Sequence, residues 1–297
     1  MRNYVIRAMD KNKTMRIFIA DTTQLVQEIR DIHETSATAS AALGRLATIT
    51  VMMGVTTKND DESLTVKFDG QGIGGKLVAV SNTRGEVKVT ATNPQADCDP
   101  KAPGKLDVGK YVGTDGVVAV IRDYGLKDPY TGLSSLVTGE IAEDIAAYYF
   151  YSEQTPSIVS LGVLVNTDLS IKSAGGIFVQ GLPSIGEDEL SKLEEVVEKL
   201  KPVSTMIEEG MTPEDILQEY FSSLEPEIID KQELSYKCDC SEDKIEKALI
   251  SIGKKDLQKL IEEDGEAEII CDFCRKRYYF DKEHLEKLLK ESNEWTI

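Results

Sequence analysis

What the chain lacks narrows its uses. Its 297 residues include two histidines, one tryptophan and five cysteines, and Lys and Arg fall so far short of Asp and Glu that the formal charge is -18. No apolar run approaches the roughly 18 residues of a membrane helix. The opening MRNYVIRAMDKNKTMRIF scatters charge where a signal peptide would carry its apolar region, so a cytoplasmic protein is expected. So acidic a chain is no general polyanion binder, because phosphate backbones are gripped by clustered Lys and Arg. Neither His33 nor His284 stands near a motif that supplies a nucleophile. A packing or surface role is expected for both, with no catalytic residue and no enzyme activity.

What is present can build more than one unit, since 41% of the residues are apolar. Charge is spread unevenly. Acidic residues exceed basic ones by three over 1–186, by eleven over 187–234 and by four over 235–297. We expect an N-terminal α+β domain over 1–186, an acidic helical linker over 187–234 and a small C-terminal domain over 235–297. The first segment is rich in strand-like runs, with turns expected at Arg84-Gly85 and Asn166-Thr167-Asp168. From Thr38 to about Thr57 the residues are small or apolar on every side, with Arg45 the single charge. A helix apolar all round belongs inside a core, so the fold class is α+β, with β-sheets around a buried helix. A second helix is expected at GEIAEDIAAYYFYSEQTP, ended by Pro156.

The acidic segment reads as two or three amphipathic helices. GEDELSKLEEVVEKLK opens with three carboxylates and carries Leu190, Leu193, Val197 and Leu200 on one stripe. Gly210 marks a stop. Thr212, Pro213 and Asp215 then form a strong start signal for a helix offering Ile216, Leu217, Tyr220, Phe221 and Leu224. A solvated connector is the plain alternative. Against it, a self-repelling segment makes marginal helices unless their apolar stripe finds a surface, and Leu193, Val197, Leu200, Leu217, Phe221 and Leu224 are the residues expected to do so.

Four of the five cysteines fall in two tight pairs, Cys238-Asp-Cys240 and Cys271-Asp-Phe-Cys274. Where thiols stay reduced, such pairs point to a metal or a redox site, and four thiolates suit tetrahedral zinc, one ion per chain. The 30 residues between them exceed the common ribbon spacing, but they read as two short helices, one capped by Ser241 and ended at Gly253, the next ended at Gly265. EAEIICDFCRKRYYF then reads as a hairpin with the second pair at its turn, followed by a helix from Asp281. So small a unit needs its metal to fold, and thiolates this close in sequence are placed to form disulfides on oxidation.

These residues, with TASAALGR at 38–45, GKLDVGKYVG at 104–113 and YTGLSSLVTGEIAEDIAAYYFYSEQTPS at 130–157, resemble the heat-shock protein 33 family of redox-regulated chaperones over nearly the whole chain. The resemblance implies that Cys238, Cys240, Cys271 and Cys274 hold zinc in an inactive reduced form. It also implies that oxidation pairs Cys238 with Cys240 and Cys271 with Cys274, releases the metal, unfolds the linker and exposes a surface that holds unfolding clients without ATP. A homodimer when active, transfer of clients to ATP-driven foldase chaperones, and a role in oxidative stress come with it. Many members follow the first pair with Ser-Glu-Arg, where this chain has Ser241-Glu242-Asp243-Lys244; the ligand set is untouched, but the ease of oxidation is open.

Two other readings compete. A thiol-disulfide oxidoreductase would use Cys271 and Cys274, but redox pairs of that spacing normally open a helix in a βαβ context. A permanent zinc module binding a partner or nucleic acid would use CRKRYY, which carboxylates surround. GQGIGG at Gly70, Gly72 and Gly75 matches a nucleotide-binding pattern only formally, because a strand rather than a helix follows. Cys98, unpaired in a turn-rich loop, reads as a bystander.

Overall fold

The computed structural model describes residues 3–57, 59 and 62–291. Strands β1 (Tyr4–Met9) and β2 (Met15–Asp21) lead into helices α1 (Thr23–His33) and α2 (Ala37–Gly54). The Ser36 hydroxyl caps α2 by accepting from the Ala39 N–H at 3.1 Å. Next come β3 (Ser63–Asp69), β4 (Leu77–Asn82), β5 (Glu86–Ala91), the short helix α3 (Val108–Val112), β6 (Val117–Asp123), β7 (Tyr130–Ser135), helix α4 (Ala142–Tyr151) and the long hairpin β8 (Ser157–Val165) with β9 (Ile171–Gly181). The acidic segment gives α5 (Glu187–Lys199), α6 (Val203–Glu208), α7 (Pro213–Tyr220), a 3-10 turn at Ser222–Leu224 and β10 (Glu227–Glu233), with the two-residue β11 (Ser235–Tyr236) after it.

Two sheets result, a five-stranded one in the order β10-β1-β2-β9-β8 and a six-stranded one in the order β11-β5-β4-β3-β6-β7. Every pairing is antiparallel except β11 with β5. Helix α2 packs against strands of both sheets, and all its residues but Ala37 and Arg45 are buried, as an all-round apolar helix requires. Arg45 ends in an ion pair with Glu140 at 2.7 Å. The helix lies close because β9 has Gly176 there, where a Cβ would come within 2.6 Å of Met52 and 2.8 Å of Thr48. The expected turns fall between β4 and β5, with Gly85 at φ +71°, and between β8 and β9. Gly70, Gly72 and Gly75 lie in the turn before β4, as the following strand required.

The five-stranded sheet is covered on both faces, and the period-two alternation of β2 shows it. Phe18 and Ala20 enter the core around α2, whereas Met15, Ile17 and Ile19 enter a second core with Leu193, Val196, Met206, Ile216, Leu217, Phe221 and Leu224. The acidic segment is thus packed as a layer on this sheet. Helix α7 starts as expected at Thr212, whose side chain forms a capping box with Asp215.

Three expectations are corrected. Val197 is 42% exposed while Val196 turns inward, because the buried face of α5 is centred on Leu193, Val196 and Leu200 and Val197 falls on its flank. Helix α4 stops at Tyr151, short of Pro156, because Glu153 folds back onto Arg122 at 2.5 Å and onto the Tyr148 hydroxyl, and Gln154 takes a positive φ. Ser235–Lys237 belong with the first part of the chain, since β11 pairs with β5 and the Lys237 N–H donates to the Val87 carbonyl at 2.9 Å.

By its contacts the chain forms two compact units, one ending at Lys237 and one beginning at Cys238. In the second unit, α8 (Glu242–Ser251) and α9 (Lys254–Glu263) precede a two-stranded hairpin, β12 (Ala267–Ile270) with β13 (Arg277–Phe280), and helix α10 (Lys282–Glu291). Leu249, Leu257, Ile261, Tyr278, Phe280, Leu285 and Leu288 make its small core. Ser241 caps α8 by accepting from the Lys244 N–H, and Gly253 and Gly265 follow the two helices at positive φ.

Candidate metal and redox centre

The small core closes around the four cysteines. Cys238 and Cys240 sit in the irregular stretch before α8, and Cys271 and Cys274 in the turn between β12 and β13. That turn is tight: the Cys271 N–H donates to the Lys276 carbonyl and the Arg275 N–H to the Cys271 carbonyl, both at 2.9 Å, with Arg275 in the left-handed region. The turn thereby holds two thiols at the end of the hairpin, where the irregular stretch before α8 brings the other pair.

All four Sγ atoms lie within 4.8 Å of one another. Cys238 and Cys271 approach to 3.7 Å and Cys240 and Cys274 to 3.3 Å, so each of these contacts joins one pair to the other. Sulfurs bound tetrahedrally at about 2.3 Å from zinc stand about 3.8 Å apart. The donor set and its spacing fit a closed, structural zinc site. The packing also differs from that of a redox C-x-x-C motif, because Cys271 follows a strand and opens no helix.

The thiols are not equivalent. Burial pushes Cys238 and Cys274 up. Burial acts the same way on Cys240, but the Tyr278 hydroxyl, donating at 3.1 Å, and the neighbouring thiols outweigh it and bring that group to about 7. Tyr278 is a site residue that the sequence presented only as part of a basic and aromatic cluster. Its alternation with the exposed Tyr279 on β13 was the available signal.

The remaining candidates are dispersed. Cys98 is half-buried in the first unit, with its Sγ 3.6 Å from the Asp107 carbonyl, and takes no part in the centre. His33, the last residue of α1, is buried with Nε2 3.3 Å from the Tyr236 hydroxyl; His284 lies on α10. Of the proposed linker stripe, Leu193, Leu217, Phe221 and Leu224 are buried in the second core, Leu200 packs at its margin and Val197 faces out. No helix among the described residues is long and apolar enough to cross a membrane.

A two-sheet unit followed by a small module built on four convergent thiols defines a protein with a centre suited to zinc and to thiol chemistry. The family model described as Hsp33 protein matches residues 3–281. Curated relatives called 33 kDa chaperonin include one from Clostridioides difficile, 47% identical over 98% of this chain and all of its own length, and one from Alkaliphilus oremlandii, 46% identical over 98% of this chain and 97% of its own. A crystal structure of a 33 kDa chaperonin, heat shock protein 33 homolog, from Thermotoga maritima superposes with a TM-score of 0.89 at 32% identity, covering 99% of this chain and all of that one. The chain belongs to the Hsp33 family of chaperones.

Proposed function

We propose that this protein is a cytoplasmic holdase, working without ATP on unfolding proteins, whose client surface is covered while its four cysteines are reduced. The observation that carries the reading is sequential placement: the four-thiol unit begins at Cys238, with only Ser235–Lys237 between it and the segment whose apolar residues cover the five-stranded sheet. On this reading 1–186 is the core, 187–234 a releasable cover and the C-terminal unit its clamp.

Zinc, when bound, would supply folding free energy of about 10 to 16 kcal/mol to a unit too small to be secure alone. Cys238, Cys240, Cys271 and Cys274 would hold it as thiolates. Oxidation of Cys238 with Cys240, and of Cys271 with Cys274, forms one S–S bond in each pair. Each bond passes two electrons to one molecule of hydrogen peroxide, which takes up two protons from solvent and leaves as two waters. No thiolate then remains to hold the ion, and the small unit unfolds.

The cover then depends on its own contacts. Its buried side chains contribute roughly 1.5 to 3 kcal/mol each while docked. Against them stand the entropy of ordering the segment and the repulsion among its excess carboxylates. A groove of about 550 Å³ beside α5, lined by Phe150, Pro156, Ile158, Leu190 and Val197, supports a reading in which apolar client segments begin to bind where the cover meets β8. Release would enlarge that surface, with a homodimer as the active form and ATP-driven foldases as recipients of the held clients.

The test is light scattering from a thermally unfolding client in the presence of reduced or peroxide-treated protein. Suppression confined to the oxidised form is expected; equal activity in both forms overturns the gating.

A further inference from the structure

The small unit carries a second group of convergent donors that the four-thiol centre does not use. Glu242 and Glu246 lie one helical turn apart on the same face of α8, and His284 reaches them from α10. One ligand atom from each lies within 4.8 Å of the others, and His284 Nε2 is 2.9 Å from Glu246 Oε1. We propose that Glu242, Glu246 and His284 form a second divalent-cation site, for zinc or a similar transition ion, that ties α8 to α10 without any thiol.

The imidazole is held in place. Phe280, buried in the small core, packs edge-on against the His284 ring with centroids 5.1 Å apart, and the His284 backbone N–H donates to the Asp281 carboxylate at 2.9 Å, which fixes the first turn of α10 beneath the ring. Donors about 3 Å apart, such as Nε2 and Oε1 here, can close on an ion at about 2.0 to 2.2 Å from each. Glu242 is exposed and can swing onto the same ion. Lys244, between the two glutamates in sequence, is engaged by Asp239.

Charge and donor type agree. Two carboxylates and a neutral imidazole leave two negative charges opposite a divalent ion, and a mixed nitrogen and oxygen set suits zinc and its neighbours better than calcium or magnesium. Three protein ligands leave room for water. Peroxide attacks thiolates, whereas this donor set has none. An ion bound only to the folded unit stabilises it by mass action. Free zinc would therefore slow the opening of this unit even as its thiols oxidise.

The experiment uses the full reduced chain already carrying one chelator-resistant zinc. Titration with zinc chloride, followed by calorimetry, is expected to show a second, weaker equivalent. His284→Gln and Glu246→Gln should each weaken it by at least about tenfold, with the first zinc and the far-ultraviolet circular dichroism unchanged. Glu242→Gln, at an exposed position, removes one donor without disturbing packing and should also weaken it. Nitrogen NMR of His284 should show Nε2 shifting on addition of zinc. A protein that takes up no second equivalent, or one whose second equivalent survives undiminished in the triple variant, overturns the site.

Discussion

Lys237 Nζ meets Glu86 Oε1 at 2.5 Å, one residue before Cys238. The Glu86 side chain, 16% exposed, is held by Lys237 first and by Asn82 and Arg84 as well, and its carboxyl is drawn down from 4.5 to about 2. A depressed folded value means that the contribution is complete above about pH 4.5 and is lost as pH falls toward 2. Because the Lys237 side chain is exposed, solvent screening leaves about 1 kcal/mol at most. Glu86→Gln should flatten the acid limb of the stability curve in that window and speed hydrogen exchange at Ser235–Lys237. An unaltered acid limb would refute the assignment.

Truncation separates this latch from the clamp. A chain ending at Lys237 keeps β11 and the Lys237 contact, and one ending at Leu234 loses both. Both should suppress client aggregation without oxidant, the shorter one more strongly. Inactivity of both would mean that losing the small unit does not release the cover.

Burial on the cover sets a second contrast. Phe221 is 1% exposed, and Phe221→Ala should loosen docking by about 3 to 5 kcal/mol. Val197→Ala, at an exposed position, should cost less than about 0.5 kcal/mol. Reduced F221A should therefore show faster exchange over 187–224 and partial activity, and reduced V197A neither. Equal exchange in the two variants would mean that the second core does not hold the cover.

The thiol centre predicts a metal count. Reduced protein should hold one zinc tightly, release it as four thiols disappear under peroxide, and keep it in Cys98→Ala. Cys238→Ser should lose it. Mass spectrometry of the oxidised chain should find Cys238 joined to Cys240 and Cys271 to Cys274; cross-linked pairs would refute that pairing.

How much of this was legible depended on the distance over which each feature is encoded. The cysteine pairs, the Thr212 and Ser241 caps and the Gly85 turn are written within a few residues, and α2 declares its burial by having no polar face. Strand β10 was hidden, because Ile228 and Ile229 are both largely exposed and its place comes from pairing with β1 at the far end of the chain. The two residues of β11 are too few for any periodicity, so the unit boundary could not be read to the residue. The inward turn of Val196 was missed because a helical stripe can be centred on either of two adjacent valines until a sheet selects one. Tyr278 needed the fold to bring its hydroxyl to a cysteine 38 positions away.

The pairing of β1 with β10 bears on how the protein is made. Tyr4 is the register partner of Glu233, so the N-terminal strand leaves the ribosome long before the strand that covers its edge exists. At about 5 to 20 residues per second the interval is roughly ten to fifty seconds. Throughout it, an apolar strand with an open row of hydrogen-bonding groups is available to any neighbouring chain. A member of a chaperone family therefore passes through an aggregation hazard of its own during synthesis.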